Sequence, residues 1–255
     1  MAMLPSSYDQ GKEETRFSWL LCGNTTDALE VHGGCGFSRR LLHCISKITY
    51  YALQIHRSPR CNAVQHARIL LSDLEDMRQE SAEYKSTLCE STETQQPIDW
   101  IRNTPQDYII NTTSAMTEAT TEAWRITAII YLQCRALKLS RCDKDVMRNL
   151  SDLADCIRIT PTSSYVFTAQ APLLPVFFLR MLGTPKKHRV IARTWFESVI
   201  SAPVRSSVRP LYETLKHIWE WIDGGVLNES KEETGWWERL VKRLYKDEPE
   251  ILCLM

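Results

Sequence analysis

A chain of 255 residues, 44% apolar and 24% charged, is long enough to bury a core without covalent staples. Its 31 Lys and Arg balance 31 Asp and Glu, which argues against a free-standing nucleic-acid binder and against a polybasic membrane-surface protein. Nine glycines are about half the usual share of ~7%, which disfavours hairpin-rich sheets and phosphate-cradling nucleotide folds and favours helices.

Residues 1–18 read as a loose arm, polar and without the apolar stretch of a signal peptide. From Ser38 to Arg57 the apolar positions Leu41, Ile45, Ile48, Ala52 and Ile55 step by four and three, one face of a helix. Gly36 and Ser38 supply its entry, Ser38 as N-cap, and Pro59 stops it. Ala63, Ala67, Leu70, Leu74 and Met77 repeat the steps in a second helix, predicted to run to Tyr84. Residues 86–105, rich in Ser, Thr, Glu and Gln, read as a flexible surface loop inside one domain spanning 19–255.

A long helix is predicted from Thr113 to Lys138. Its middle, Trp124 to Leu132, is apolar on nearly every side, which suits the centre of a bundle. Val146, Leu150, Leu153 and Ile157 mark the next helix, closed before Pro161. Pro172 and Pro175 are tolerable in the first turn of a helix through Leu179. Thr184-Pro185 opens another, as cap and first helical residue, through Ile191, Trp195 and Val199. Val208, Leu211, Leu215, Ile218 and Ile222 form a helix ended by Gly224-Gly225, and Trp236 to Tyr245 a short last one. The fold class is all-α, a single helical domain of about eight helices around a central apolar helix at about 113–138.

No apolar run approaches the roughly 18 residues of a membrane span. Nine cysteines without paired spacing read as reduced, buried small hydrophobes, and the expected compartment is nucleus or cytoplasm. Phosphate-binding loops, nucleophile elbows, H-E-x-x-H and C-x-x-C motifs are all missing. Cys22, His32 and Cys35 have ligand-like spacing around Gly33-Gly34, but a glycine turn with an incidental His and Cys is the favoured reading. His43, His56 and His217 fall on helices with no adjacent nucleophile or orienting acid and read as structural. Lys186-Lys187-His188-Arg189, the one compact basic run, reads as a solvated helix face, with a localisation signal or partner contact as alternatives. Trp195, Trp219, Trp221, Trp236 and Trp237 read as core and rim packing rather than a ligand cage. No catalytic, cofactor-binding or metal residue is assigned.

Three segments carry a resemblance. Gly36-Phe37-Ser38-Arg39-Arg40-Leu41-Leu42 is followed by Ile45-Ser46-Lys47-Ile48. Glu122-Ala123-Trp124-Arg125-Ile126-Thr127-Ala128-Ile129-Ile130-Tyr131-Leu132 is the second. The third runs from Leu174-Pro175-Val176-Phe177 through His188-Arg189 and Val208-Arg209 to Ile218-Trp219. In content, order and spacing they resemble the fungal-specific transcription factor domain, the C-terminal regulatory region of Zn₂Cys₆ regulators, over roughly Phe17 to Asp223.

The resemblance implies an all-α regulatory domain in a fungal nucleus. Such a domain docks other regulators or co-regulators, or senses a small apolar ligand, and serves a pathway such as a secondary-metabolite gene cluster. It also implies that His188 and Arg189 tie helices together. Proteins of this family normally begin with a six-cysteine cluster that reads DNA, and none stands before Phe17. The chain is therefore expected to act through partners or a ligand, as a shortened or divergent regulator, without direct DNA binding. Two other readings stay open. One is a pathway enzyme or small-molecule binder on the same fold, with His43, Glu122 and Arg125 as its polar groups. The other is an interaction scaffold such as a homodimer through the first two helices.

Overall fold

Several helix starts in this chain fall where a side chain accepts from a first-turn N–H or a proline removes that unpaired donor. A computed structural model describes residues 17–32, 36–57, 62–80, 96–163, 172–201, 208–224 and 235–247. Of the expected arm, Phe17 and Ser18 are described. Ser18–Leu21 forms a 3₁₀ turn that buries Leu20, and residues 1–16 lie outside the described set.

Helix α1 (Thr25–Leu29) is capped by Asn24, whose side chain accepts from the Thr26 N–H. Strands β1 (Val31–His32) and β2 (Phe37–Ser38) form one antiparallel pair, Val31 opposite Ser38 and His32 opposite Phe37. Gly36, at φ 74°, donates its N–H to the His32 carbonyl at 2.9 Å. Ser38 then caps α2 (Arg39–Arg57), its Oγ accepting from the Leu41 N–H at 3.3 Å. The predicted stripe is the buried one, with Leu41, Ile48, Ala52 and Ile55 inside and Ile45 half-buried.

Helix α3 (Ala63–Asp76) buries Ala63, Ala67, Leu70 and Leu74 but ends well before the expected Tyr84. Two contacts pull the chain out of the helix. Gln79 bridges the Ser38 N–H (2.7 Å) and the Thr121 carbonyl (2.9 Å). Glu80 joins Glu30 in a parallel bridge, its carbonyl accepting from the Val31 N–H. The expected loop over 86–105 also needs correction. Pro97–Arg102 is a helix, α4, with Pro97 in its first turn and Ile98 and Ile101 buried, while residues 86–95 lie outside the described set.

Helix α5 (Thr113–Tyr131) starts on the Thr112 side chain. It buries Met116, every residue from Ala119 through Ala123, and every residue from Arg125 through Tyr131. The expected helix to Lys138 is regular only to Tyr131. A π turn, Leu132–Ala136, widens the next five residues, all buried, and Lys138 at φ 57° ends the run. Helix α6 (Lys144–Ile159) is capped by Asp143 and packs along α5. Helix α7 (Leu173–Leu182) is buried from Pro175 onward and carries both prolines at its entry. Helix α8 (Lys186–Ser201) begins one residue after Pro185, and the Thr184 hydroxyl donates to Met147 Sδ at 3.1 Å. Helices α9 (Val208–Asp223) and α10 (Trp236–Asp247) follow as expected.

Among the described residues the protein is all-α apart from the β1–β2 pair and the Glu30–Glu80 bridge, and one contiguous core runs from Leu41 to Leu244. Among the described residues there are ten α-helices, the two beyond expectation being the short α1 and α4. None of the described helices is long and apolar enough to cross a membrane.

Candidate ligand-binding cavity

The apolar stripe of α10 closes over α2, α7 and the end of α5 and leaves a cavity of about 100 Å³. Ile45 and Thr49 line it from α2. Leu174, Phe177, Phe178 and Met181 line it from α7, and Trp237, Leu240, Val241 and Leu244 from α10. Tyr131 completes the wall. Its ring, that of Phe178 and that of Trp237 form a triangle with centroids 5.5 to 6.0 Å apart, rigid aromatic packing rather than loose side chains.

One end of this apolar space is polar. The Tyr131 hydroxyl and Thr49 Oγ1 stand 3.2 Å apart, and Arg135 Nη1 donates to the Tyr131 hydroxyl. Arg135 sits in the π turn, where the extra residue per turn re-aims its side chain toward α2 and α10. Its Nε pairs with Glu238 Oε1 at 3.2 Å, so a buried charge is held between α5's extension and α10. Burial raises the Tyr131 pKa, opposed by the Arg135 guanidinium, so the phenol is neutral. Among the described residues, Trp237 Nε1 is buried without a hydrogen-bond partner, although Trp236 Nε1 reaches the Leu139 carbonyl at 3.1 Å. The cavity thus offers an apolar body with a neutral phenol and a threonine at its edge.

The sequence candidates lie elsewhere. Glu122 and Arg125 are 2% and 6% exposed and bond each other at 2.6 and 2.8 Å. Arg125 also donates to the Leu74 and Glu75 carbonyls, locking the C-terminal turn of α3 onto α5. That pair is fully occupied by structure. His43 is buried on α2, and burial, with Lys47 and Arg40 nearby, lowers its pKa to about 4. Among the described residues, no hydrogen bond joins His43 to Glu122 or Arg125. His56 and His217 are exposed. Of the candidate metal ligands, Cys22 and His32 are exposed and Cys35 lies outside the described residues.

Lys186 and Lys187 face solvent, whereas His188 is fully buried, its Nε2 3.3 Å from Ser151 Oγ. Arg189 ties three elements together. Its Nε donates to the Gly183 carbonyl (2.9 Å), and Nη1 and Nη2 meet Asp223 at 2.9 and 3.1 Å. Of the described cysteines, Cys44, Cys134 and Cys156 are buried free thiols, while Cys22 and Cys142 are exposed. Burial pushes Cys44 up to about 11 and Cys134 up to about 12.

Sequence reasoning misses Arg135 and reads Trp237 as packing. The available signal is Trp236-Trp237-Glu238, which puts two large aromatics and a carboxylate in one first turn.

The model of one protein family, described as the fungal specific transcription factor domain, matches residues 4–248. No curated protein and no solved structure gives a significant match.

Proposed function

The chain belongs to the fungal-specific transcription factor domain family, and we propose on that premise that it is a nuclear regulator of transcription that senses a small apolar ligand. The ligand sits between α2, α7 and α10, and the chain works with other regulators or co-regulators at its genes. The single observation that carries the sensing role is the cavity of about 100 Å³ with a polar edge at Thr49 and Tyr131. Its size suits a compact molecule with one hydrogen-bond acceptor, and its apolar lining provides the driving force for uptake. Because α10 forms one wall, occupancy bears directly on how that helix sits. A secondary-metabolite gene cluster is the kind of target such a sensor would serve.

The test is transcript profiling of a deletion strain beside its metabolite profile. Coordinated loss of transcripts across a linked set of genes is the expected result. Intact transcripts with one accumulated pathway intermediate would overturn the regulator in favour of a catalyst or carrier on the same fold.

A further inference from the structure

Arg180, on α7, is a buried cation without an anion among the described residues. It is 8% exposed, and no described carboxylate stands within ion-pair distance of it. A guanidinium cannot give up its proton to escape this position, so its charge persists in a poorly solvated site. Its surroundings add more positive charge. Arg141 and Arg189 both converge on the single carboxylate of Asp223. Arg193 pairs with the exposed Glu197, at 3.8 Å. Burial, Arg193 and Arg189 all oppose the charge on Arg180, and Tyr212 and Glu197 favour it without reversing that balance.

The contacts Arg180 does make use one side of its fork. Nη1 donates to the Arg189 carbonyl at 3.4 Å. The centre of the guanidinium lies 3.7 Å from the ring centre of Trp219, whose other near cation is Arg189 at 4.0 Å. The Trp219 N–H donates to the Arg180 carbonyl, which fixes the ring beneath the guanidinium. Among the described residues, Nε is buried with no partner, while Nη2 makes no hydrogen bond to the protein and reaches solvent. The Nε–Nη2 edge is one that takes a carboxylate bidentately, with two parallel N–H···O bonds. Stacking on an indole satisfies the charge only in part and leaves both edge donors without a protein acceptor.

We propose that the junction of α7, α8 and α9 is a carboxylate-binding site, with Arg180 receiving the anion on its Nε–Nη2 edge, Trp219 orienting the guanidinium, and Arg189 and Arg193 attracting the charge. This site is separate from the apolar cavity, and its test reads it independently of any transcriptional role. The carboxylate comes either from a free small acid or from an acidic side chain of a bound protein.

The experiment uses the ¹⁵N-labelled full chain, with the Arg180 Nε–Hε signal assigned through its backbone correlations. Sodium acetate and a hexaglutamate peptide are titrated separately, with ionic strength held constant by sodium chloride. A saturable shift of that signal under either carboxylate is expected. Half-saturation at equal carboxylate concentration identifies a free small acid as the occupant, and tighter binding of the peptide identifies a protein partner. Arg180→Lys keeps the charge and loses the fork. It should raise by about tenfold the carboxylate concentration needed for a given small rise in melting temperature. An unmoved signal, an equal shift with sodium chloride or inorganic phosphate alone, or an unchanged concentration requirement in Arg180→Lys would overturn the proposal. If the lysine variant fails to fold, the titration of the wild-type signal still decides the matter.

Discussion

His188 on α8 and His43 on α2 are both buried, and burial lowers both ring pKa values from 6.5 to about 4. The unfolded chain therefore binds more protons than the folded one between those values. Stability is fully present above about pH 6.5 and is lost as the pH falls toward 4. Each ring contributes roughly 2–3 kcal/mol of that loss once protonated. Denaturant midpoints measured between pH 7.5 and 4.5 should fall with acid, and His188→Gln should flatten the slope. A His188→Gln profile parallel to the wild type would show that the ring is not held neutral. The residue scale is also where the sequence says least. His188, Lys186 and Lys187 form one basic run on paper, and only helical geometry sends the histidine inward while the lysines stay out. Glu122 and Arg125 read as loose catalytic candidates because the Leu74 and Glu75 carbonyls that Arg125 reaches are about fifty residues away in sequence.

At the scale of elements, the α7–α8 corner depends on Gly183. A Cβ there would sit 2.6 Å from the Leu179 carbonyl oxygen and 3.0 Å from His188 Cβ. The first is backbone and cannot turn aside, so the corner would have to open and shift His188 and Arg189 with it. Gly183→Ala should cost about 1–3 kcal/mol in chemical denaturation without changing the slope of the transition. Wild-type stability in that variant would mean that the corner is looser than described. The helices legible in the sequence are those with a long apolar stripe, such as Leu41 to Ile55 on α2 and Val208 to Ile222 on α9. Helices α1 and α4, of five and six residues, are too short for a 3.6-residue period to show. The periodicity overruns the end of α3 because Gln79 and Glu80 have nothing local against helix. Their long-range bonds to Ser38, Thr121 and the chain around Glu30 win instead. The π turn is likewise set by tertiary contacts, Arg135 reaching Glu238 across about a hundred residues of chain.

For the whole molecule, the decisive feature is that the helices share one core, and the cavity lies within that core rather than on a separable lid. An occupant of the cavity therefore stabilises the entire folded state by mass action, by about 2.7 kcal/mol at a hundredfold excess over its dissociation constant. Val241, 8% exposed on α10, faces this space together with Leu240 and Leu244. Val241→Phe should fill much of the cavity while leaving the polar contacts of Arg135, Tyr131 and Glu238 in place. Overpacking and gained burial oppose each other, so stability should stay within about 2 kcal/mol of the wild type. With indole as an apolar probe, the wild-type melting temperature should rise with concentration and that of Val241→Phe should not. In the cell, a filled cavity separates sensing from folding. The variant should accumulate normally yet hold its target transcripts at one fixed level, whatever the metabolite supply. Equal stabilisation of both proteins by indole would place the binding elsewhere and remove the physical basis for a sensor beneath α10.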